Sequence, residues 1–114
     1  GYTTCLSLEV KNFDDHLWLG VFFRLCVGPK DELLQWPFRT PYTLSIHHPM
    51  YKQKDISRAL PGLTNENMEL FKRPRWKCNK GWGYGKFIRV TDVKKEGYMF
   101  DDAISVSVTL LTEQ

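Results

Sequence analysis

Apolar and polar residues alternate along most of this chain. Across residues 4–10, Leu6, Leu8 and Val10 fall on one side of an extended backbone and Cys5, Ser7 and Glu9 on the other. Residues 17–27 repeat the pattern at greater length. Leu17, Leu19, Val21, Phe23, Leu25 and Val27 share a face, with Trp18, Gly20, Phe22, Arg24 and Cys26 opposite. Bulk on both faces predicts a central strand. Residues 42–48 alternate more weakly around Leu44 and Ile46, whereas residues 104–110 set Ile104, Val106, Val108 and Leu110 against Ser105, Ser107 and Thr109. A small polar face behind a branched apolar one fits a strand with one solvated side.

Breakers separate these runs: Gly28-Pro29, Pro37, Pro41, Pro49, Pro61-Gly62, Pro74 and the glycines at 81, 83 and 85. No stretch sustains a helical period. The best helix candidate, residues 65–71, is a turn or two, well short of the length at which a helix stands alone. Short strands divided by turn signals predict an all-β antiparallel sandwich. Repeats, low-complexity tracts and linkers are lacking, so residues 1–114 read as one domain.

Composition agrees. At 114 residues, 42% hydrophobic and 14% aromatic, the chain can bury a core without needing disulfides or a metal. No apolar run approaches the roughly 20 residues that span a bilayer. The start, Gly1-Tyr2-Thr3-Thr4-Cys5, offers no initiator Met and no signal-like segment, as expected of an excised or processed piece. Three cysteines, odd in number and widely spaced, predict a reducing, cytoplasmic setting.

Charge sharpens the picture. The net charge is +3, but residues 72–89 hold seven Lys or Arg and no acid, which leaves −4 (+3 less +7) for the rest. The same stretch interleaves cations with Trp76, Trp82, Tyr84 and Phe87 and places glycine at 81, 83 and 85. As an extended strand it would project Trp82, Tyr84 and Lys86 on one side and Gly83, Gly85 and Phe87 on the other. Bare glycine lets a second backbone approach, which suits addition of an acidic peptide as an extra strand. A solvated basic loop before a bulged strand accounts for the composition equally well. Single-stranded nucleic acid is a third reading, weakened by the acidic remainder of the chain.

Other chemistry finds little footing. The cysteines form no Cys-x-x-Cys, and His47-His48 would point to opposite faces of a strand, so no metal site is expected. Asp101-Asp102 reads as a turn whose carboxylates accept backbone N–H bonds rather than as an acid–base pair. Nucleophile and phosphate-loop motifs do not occur, and neither catalytic residues nor a cofactor is expected.

Five ordered motifs nevertheless resemble a known family. They are Gly1-Tyr2-Thr3-Thr4-Cys5; Leu19-Gly20-Val21-Phe22-Phe23; Gly28 and Asp31 with Leu33-Leu34 and Trp36-Pro37-Phe38; Phe71-Lys72-Arg73-Pro74; and Tyr98-Met99-Phe100-Asp101-Asp102. In this order they resemble the C-terminal domain of the tumour-necrosis-factor-receptor-associated factors, the TRAF branch of the MATH fold. Asn79-Lys80-Gly81-Trp82-Gly83-Tyr84 looks most like the branch that serves Toll/interleukin-1 receptors and CD40.

The resemblance implies an eight-stranded antiparallel sandwich that takes Pro-x-Glu-x-x-aromatic/acidic peptides from receptor tails or adaptors as an added edge strand. It begins at the family's third strand, so about six of the eight strands are expected here and two upstream, with an exposed edge prone to association if they are absent. It also implies that the guest's Pro sits against Trp82 and Tyr84 beside Gly83. The guest's Glu would take the backbone N–H groups of Glu69 and Leu70 and the charge of Lys80.

Two departures follow from the same match. Ser7 stands where the family has an Arg facing the guest's last residue, which removes a cation–π contact. Glu69 brings a carboxylate to a place meant to receive an acid. By resemblance, Trp36-Pro37-Phe38 is a core plug, and the full-length protein is a cytoplasmic homotrimer with a RING and zinc fingers, acting in innate-immune signalling and ubiquitin transfer. An alternative within the fold is a substrate-recognition domain of a ubiquitin ligase reading Ser/Thr-rich degrons.

Overall fold

The computed structural model describes residues 1–112. Among the described residues, seven strands form two antiparallel sheets. The first has the order β1-β2-β5, from β1 (Thr3–Phe13), β2 (His16–Cys26) and β5 (Trp82–Arg89). The second has the order β4-β3-β7-β6, from β4 (Ile56–Leu60), β3 (Tyr42–His47), β7 (Ala103–Leu110) and the two-residue β6 (Met99–Phe100). The expected all-β sandwich is therefore present, with seven strands where about six were expected. One short helix, α1 (Val90–Lys95), follows β5, and the helix expected over residues 65–71 is only a 3-10 turn at Met68–Leu70.

The long runs pair as their alternation requires. β1 lies against β2 in unbroken register from Thr3↔Cys26 to Phe13↔His16. The turn between them is Asp14-Asp15, both in the left-handed region at φ 52° and 66°. That is the backbone of a tight two-residue hairpin, whose twist matches the flanking strands. Asp101 and Asp102, at 52° and 60°, make the same turn between β6 and β7. The expected turn is there.

Inward residues of the two sheets meet in an aromatic core. Phe23, Phe38, Tyr42 and Phe71 are fully buried, with ring centroids from 4.5 to 6.3 Å apart. Burying each such ring stabilises the fold by about 1.5–3 kcal/mol. Phe38 belongs to the Trp36-Pro37-Phe38 segment, so that segment does plug the core. Tyr2 closes it edge-on, 5.1 Å from Trp36 and 5.0 Å from Phe38, with its hydroxyl donating to the Gln35 carbonyl at 2.6 Å. Leu8 and Val10 occupy the same inner face of β1, opposite Val21 and Leu19, yet stay 42% and 58% exposed.

Candidate peptide-binding site

Order β1-β2-β5 makes β5 an edge strand, so the basic–aromatic run borders an open sheet edge. Pairing of Phe23 with Trp82, Phe22 with Gly83 and Val21 with Tyr84 sets the directions of the side chains. Trp82 and Tyr84 share the inner side with Phe23 and Val21. Trp82 is half-buried against the core, and its carbonyl accepts from the Tyr42 hydroxyl at 3.4 Å. Tyr84 is more exposed and donates its hydroxyl to the Ala59 carbonyl of β4 at 3.2 Å. Burial, and secondarily the nearby Tyr84, raises the Tyr42 hydroxyl well above the usual tyrosine range.

Register then shifts between Leu19 and Val21, a bulge at Gly20 and Gly85. The bulge corrects the expected facing of Lys86 and Phe87. Lys86 turns to the outer face, its ammonium 5.4 Å from the Phe13 ring centre, 6.0 Å from that of Trp18 and 3.8 Å from the Asp14 carboxylate. Phe87 turns inward and is buried, with the Arg58 guanidinium 5.1 Å from its ring. Arg58 also donates to the Phe87 carbonyl at 3.0 Å, so this end of the β5 edge already has a partner. A cavity of about 420 Å³ lies between β5 and β4, lined by Ser57, Arg58, Ala59, Tyr84 and Lys86.

The glycines serve a different neighbour from the one expected. A Cβ at Gly83 would run into the Val21 carbonyl and come within 2.9 Å of the Phe22 Cα, and one at Gly81 would reach the Phe22 Cβ at 2.8 Å. The backbone that approaches these positions is β2 of the same sheet. Gly85 is different, with only the Phe13 ring at 3.8 Å.

The remaining predicted site residues fall in two further places. Ser7, on the outer face opposite Phe22, shares a cavity of about 450 Å³ with Lys80, Arg24, Glu9, Lys11 and Gly81. Arg24 thus supplies a cation to the place where Ser7 lacks one. Glu69 and Leu70 lie in the 3-10 turn at Met68–Leu70. The Leu70 N–H already donates to the Asn67 carbonyl at 2.8 Å, and the Glu69 carboxylate is paired with Lys72 at 2.9 Å. An incoming carboxylate would meet a used donor there and a second acid.

Sequence reasoning missed three groupings. A cavity of about 1000 Å³ has walls that include Asp31, Glu69, Lys72, Arg73, Arg75 and Trp76. Asp31 accepts from the Gly28 N–H at 2.9 Å through Oδ2, while Oδ1 is buried without a partner among the described residues. On the outer face of the second sheet, His47 stands between Asp55, 2.8 Å from Nδ1, and Ser107, 2.7 Å from Nε2. A carboxylate only accepts, so Nδ1–H donates to Asp55; in the neutral ring Nε2 then accepts from the Ser107 hydroxyl. The order is that of a hydrolytic triad, drawn from β3, β7 and the residue before β4. Finally, Cys5, Cys26 and Cys78 converge, which spacing alone did not show, and Cys26 and Cys78 form a disulfide.

A two-sheet antiparallel sandwich with a basic, aromatic edge strand defines a protein-interaction module, and comparisons with known proteins specify it. The family model of the TRAF/meprin MATH domain matches residues 1–107, and the chain belongs to that family. It is 30% identical over 109 residues to TNF receptor-associated factor 2 of Homo sapiens, covering 93% of this chain and 21% of that protein. It is 31% identical over 94 residues to the human TNF receptor-associated factor 5, covering 81% of this chain and 16% of that protein. The chain thus spans between about a sixth and a fifth of the length of these relatives. A solved structure of Notothenia coriiceps TRAF5 superposes with a TM-score of 0.85 at 22% identity, covering 100% of this chain and 57% of that one. Among the described residues no helix is long and apolar enough to cross a membrane.

Proposed function

We propose that the chain is a cytoplasmic signalling-adaptor domain that docks acidic, Pro-containing segments of receptor tails or adaptors by strand addition along β5. The observation that carries this reading is the edge position of β5 in the β1-β2-β5 sheet, with the basic–aromatic run upon it. The guest's Pro would lie against Tyr84 and the rim of Trp82, over the cavity between β5 and β4. Its Glu would face Lys80, with Arg24 beside Ser7 available for a later acid. With the Leu70 N–H engaged, the Lys80 charge rather than the Glu69–Leu70 backbone carries the preference for a Glu.

Main-chain hydrogen bonds supply the generic part of such binding and side-chain pockets the selective part. A short guest that orders on binding loses much of its gross interaction energy, so a micromolar to submillimolar Kd is expected for one peptide. Avidity in a trimeric full-length protein would lower the apparent Kd. The test is calorimetric titration with a Pro-x-Glu-x-x-acidic peptide, comparing the native chain with Lys80→Glu and Tyr84→Ala. Lys80 is exposed, so its reversal should leave the fold intact and weaken binding at least tenfold, about 1.4 kcal/mol. Native binding that is absent, or unchanged in both variants, defeats the assignment. Stronger binding of a Ser/Thr-rich peptide would favour a degron reader, and a steep salt dependence with an oligonucleotide would favour nucleic acid.

A further inference from the structure

Three sulfurs from separate parts of the chain meet on the outer face of the first sheet. Cys5 lies on β1, directly opposite Arg24 of β2. Cys26 ends β2, and Cys78 faces it across an isolated bridge just before β5. All three Sγ atoms lie within 4.8 Å of one another, and Cys5 Sγ is 3.7 Å from Cys26 Sγ. Cys26 and Cys78 are joined as a disulfide and Cys5 is free. Cys26 is buried, while Cys5 and Cys78 are half-buried, so the cluster is enclosed on one side and open on the other.

We propose that the reduced chain binds one zinc ion through Cys5, Cys26 and Cys78, with the fourth position open to water or an external donor. Zinc–sulfur bonds of about 2.3 Å in tetrahedral geometry place neighbouring sulfurs about 3.8 Å apart. The Cys5–Cys26 separation of 3.7 Å already has that value. A thiol reductant opens the site. Two reductant thiols are oxidised to one disulfide as the Cys26–Cys78 bond takes up two electrons and two protons, which leaves three protein thiols. Zinc then displaces one proton from each thiol, so binding releases three protons and leaves a centre of net charge −1. Arg24, whose Nε donates to the Asn79 carbonyl at 3.0 Å, and Lys77, next to Cys78, supply positive charge nearby.

The consequence concerns the basic loop. Cys78 sits at its C-terminal end, flanked by the Val27 N–H to Lys77 carbonyl bond at 2.7 Å and the Asn79 N–H to Leu25 carbonyl bond at 2.8 Å. The disulfide under oxidising conditions and the metal under reducing ones would both tether residues 72–80 to β2. The loop that borders Lys80 would then keep its place in either setting.

Cobalt is the probe, because its thiolate complexes absorb where zinc's do not. The chain is reduced with a phosphine, checked for its β-sheet signal by circular dichroism and titrated with Co²⁺. One equivalent should produce a thiolate-to-cobalt charge-transfer band, and added Zn²⁺ should abolish it. The oxidised chain should show none. Cys5→Ser leaves the disulfide pair untouched and should bind cobalt more weakly, by roughly tenfold or more, since even neighbours of metal ligands cost that much. No band in the reduced, folded chain, or an identical titration for Cys5→Ser, overturns the proposal. So does a chain that unfolds on reduction and does not recover with Zn²⁺.

Discussion

His47 and His48 are adjacent in sequence and divide their work by direction. His47 points to the outer face and links Asp55 to Ser107, which ties the segment before β4 to β7. His48 Nδ1 accepts from the N–H groups of Met50 at 3.1 Å and Tyr51 at 3.0 Å, so its Nε2–H donates to the Glu96 carbonyl at 2.8 Å. That gives His48-Pro49 a physical purpose, since one ring caps the turn after β3 and fastens it to the end of α1. Asp55 binds both residues, and its pKa lies below the ordinary carboxylate value, first through the His47 side chain and then through the His48 N–H. A carboxylate pKa depressed on folding stabilises the fold above the unfolded value, near 4, and that contribution is lost as pH falls through the folded value. Asp55→Asn should therefore lower Tm at neutral pH, with a gap from the native chain that narrows as pH drops below about 4. Melting curves across that range test it, and a gap independent of pH would show that the carboxylate charge is irrelevant.

At the scale of elements, β5 shows how far period-two reading carries. Its extended character and its edge chemistry were legible, because aromatic and basic residues alternate with glycine. A bulged strand was one of its readings, but the position of the bulge was not legible, since nothing in Gly85-Lys86-Phe87 says where a ladder slips. β4 escaped for another reason. Arg58 sits on the core-facing register opposite Leu44, so a cation interrupts the apolar alternation between Ile56 and Leu60. It is tolerated because its guanidinium reaches the Phe87 carbonyl and lies over the Phe87 ring. α1, with Val90 and Val93 as its apolar residues, is too short to show a period. Of the proposed site, Lys80, Trp82 and Tyr84 are chosen from type and spacing. The state of the Leu70 N–H could not be read that way, because it depends on a local 3-10 bond to Asn67. The glycines give a sharp test of β5. Gly83→Ala should cost about 1–3 kcal/mol, as overpacking against a rigid backbone does. Gly85→Ala, with room around it and no left-handed φ, should be neutral or stabilising by up to about 1 kcal/mol. Urea midpoints measure both, and equal costs would mean that close approach of β2 is not why Gly83 is there.

For the whole molecule, the Cys26–Cys78 bond joins positions 52 residues apart, on the outer face of the first sheet between the end of β2 and the segment before β5. The odd, sparse cysteines suggested thiols in isolation, because sequence spacing is blind to a bridge between strands distant in the chain. Loop-closure entropy for that separation gives about 4 kcal/mol as the most the bridge adds, mainly by restricting the unfolded chain. The folded side needs little from it. Asn79 Nδ2 donates to the carbonyls of Leu70 and Lys72, each at 2.8 Å, Arg24 holds the Asn79 carbonyl, and two backbone bonds flank Cys78. Reduction should therefore leave the native circular dichroism and the affinity for an acidic peptide unchanged. It should lower the urea midpoint and raise the slope m, because the freed unfolded chain exposes more surface. Cys78→Ser should reproduce the loss without reductant. If reduction instead abolished peptide binding at unchanged global stability, the bridge would be holding the loop rather than restricting the unfolded state. The two measurements, made on the same reduced sample, separate those outcomes.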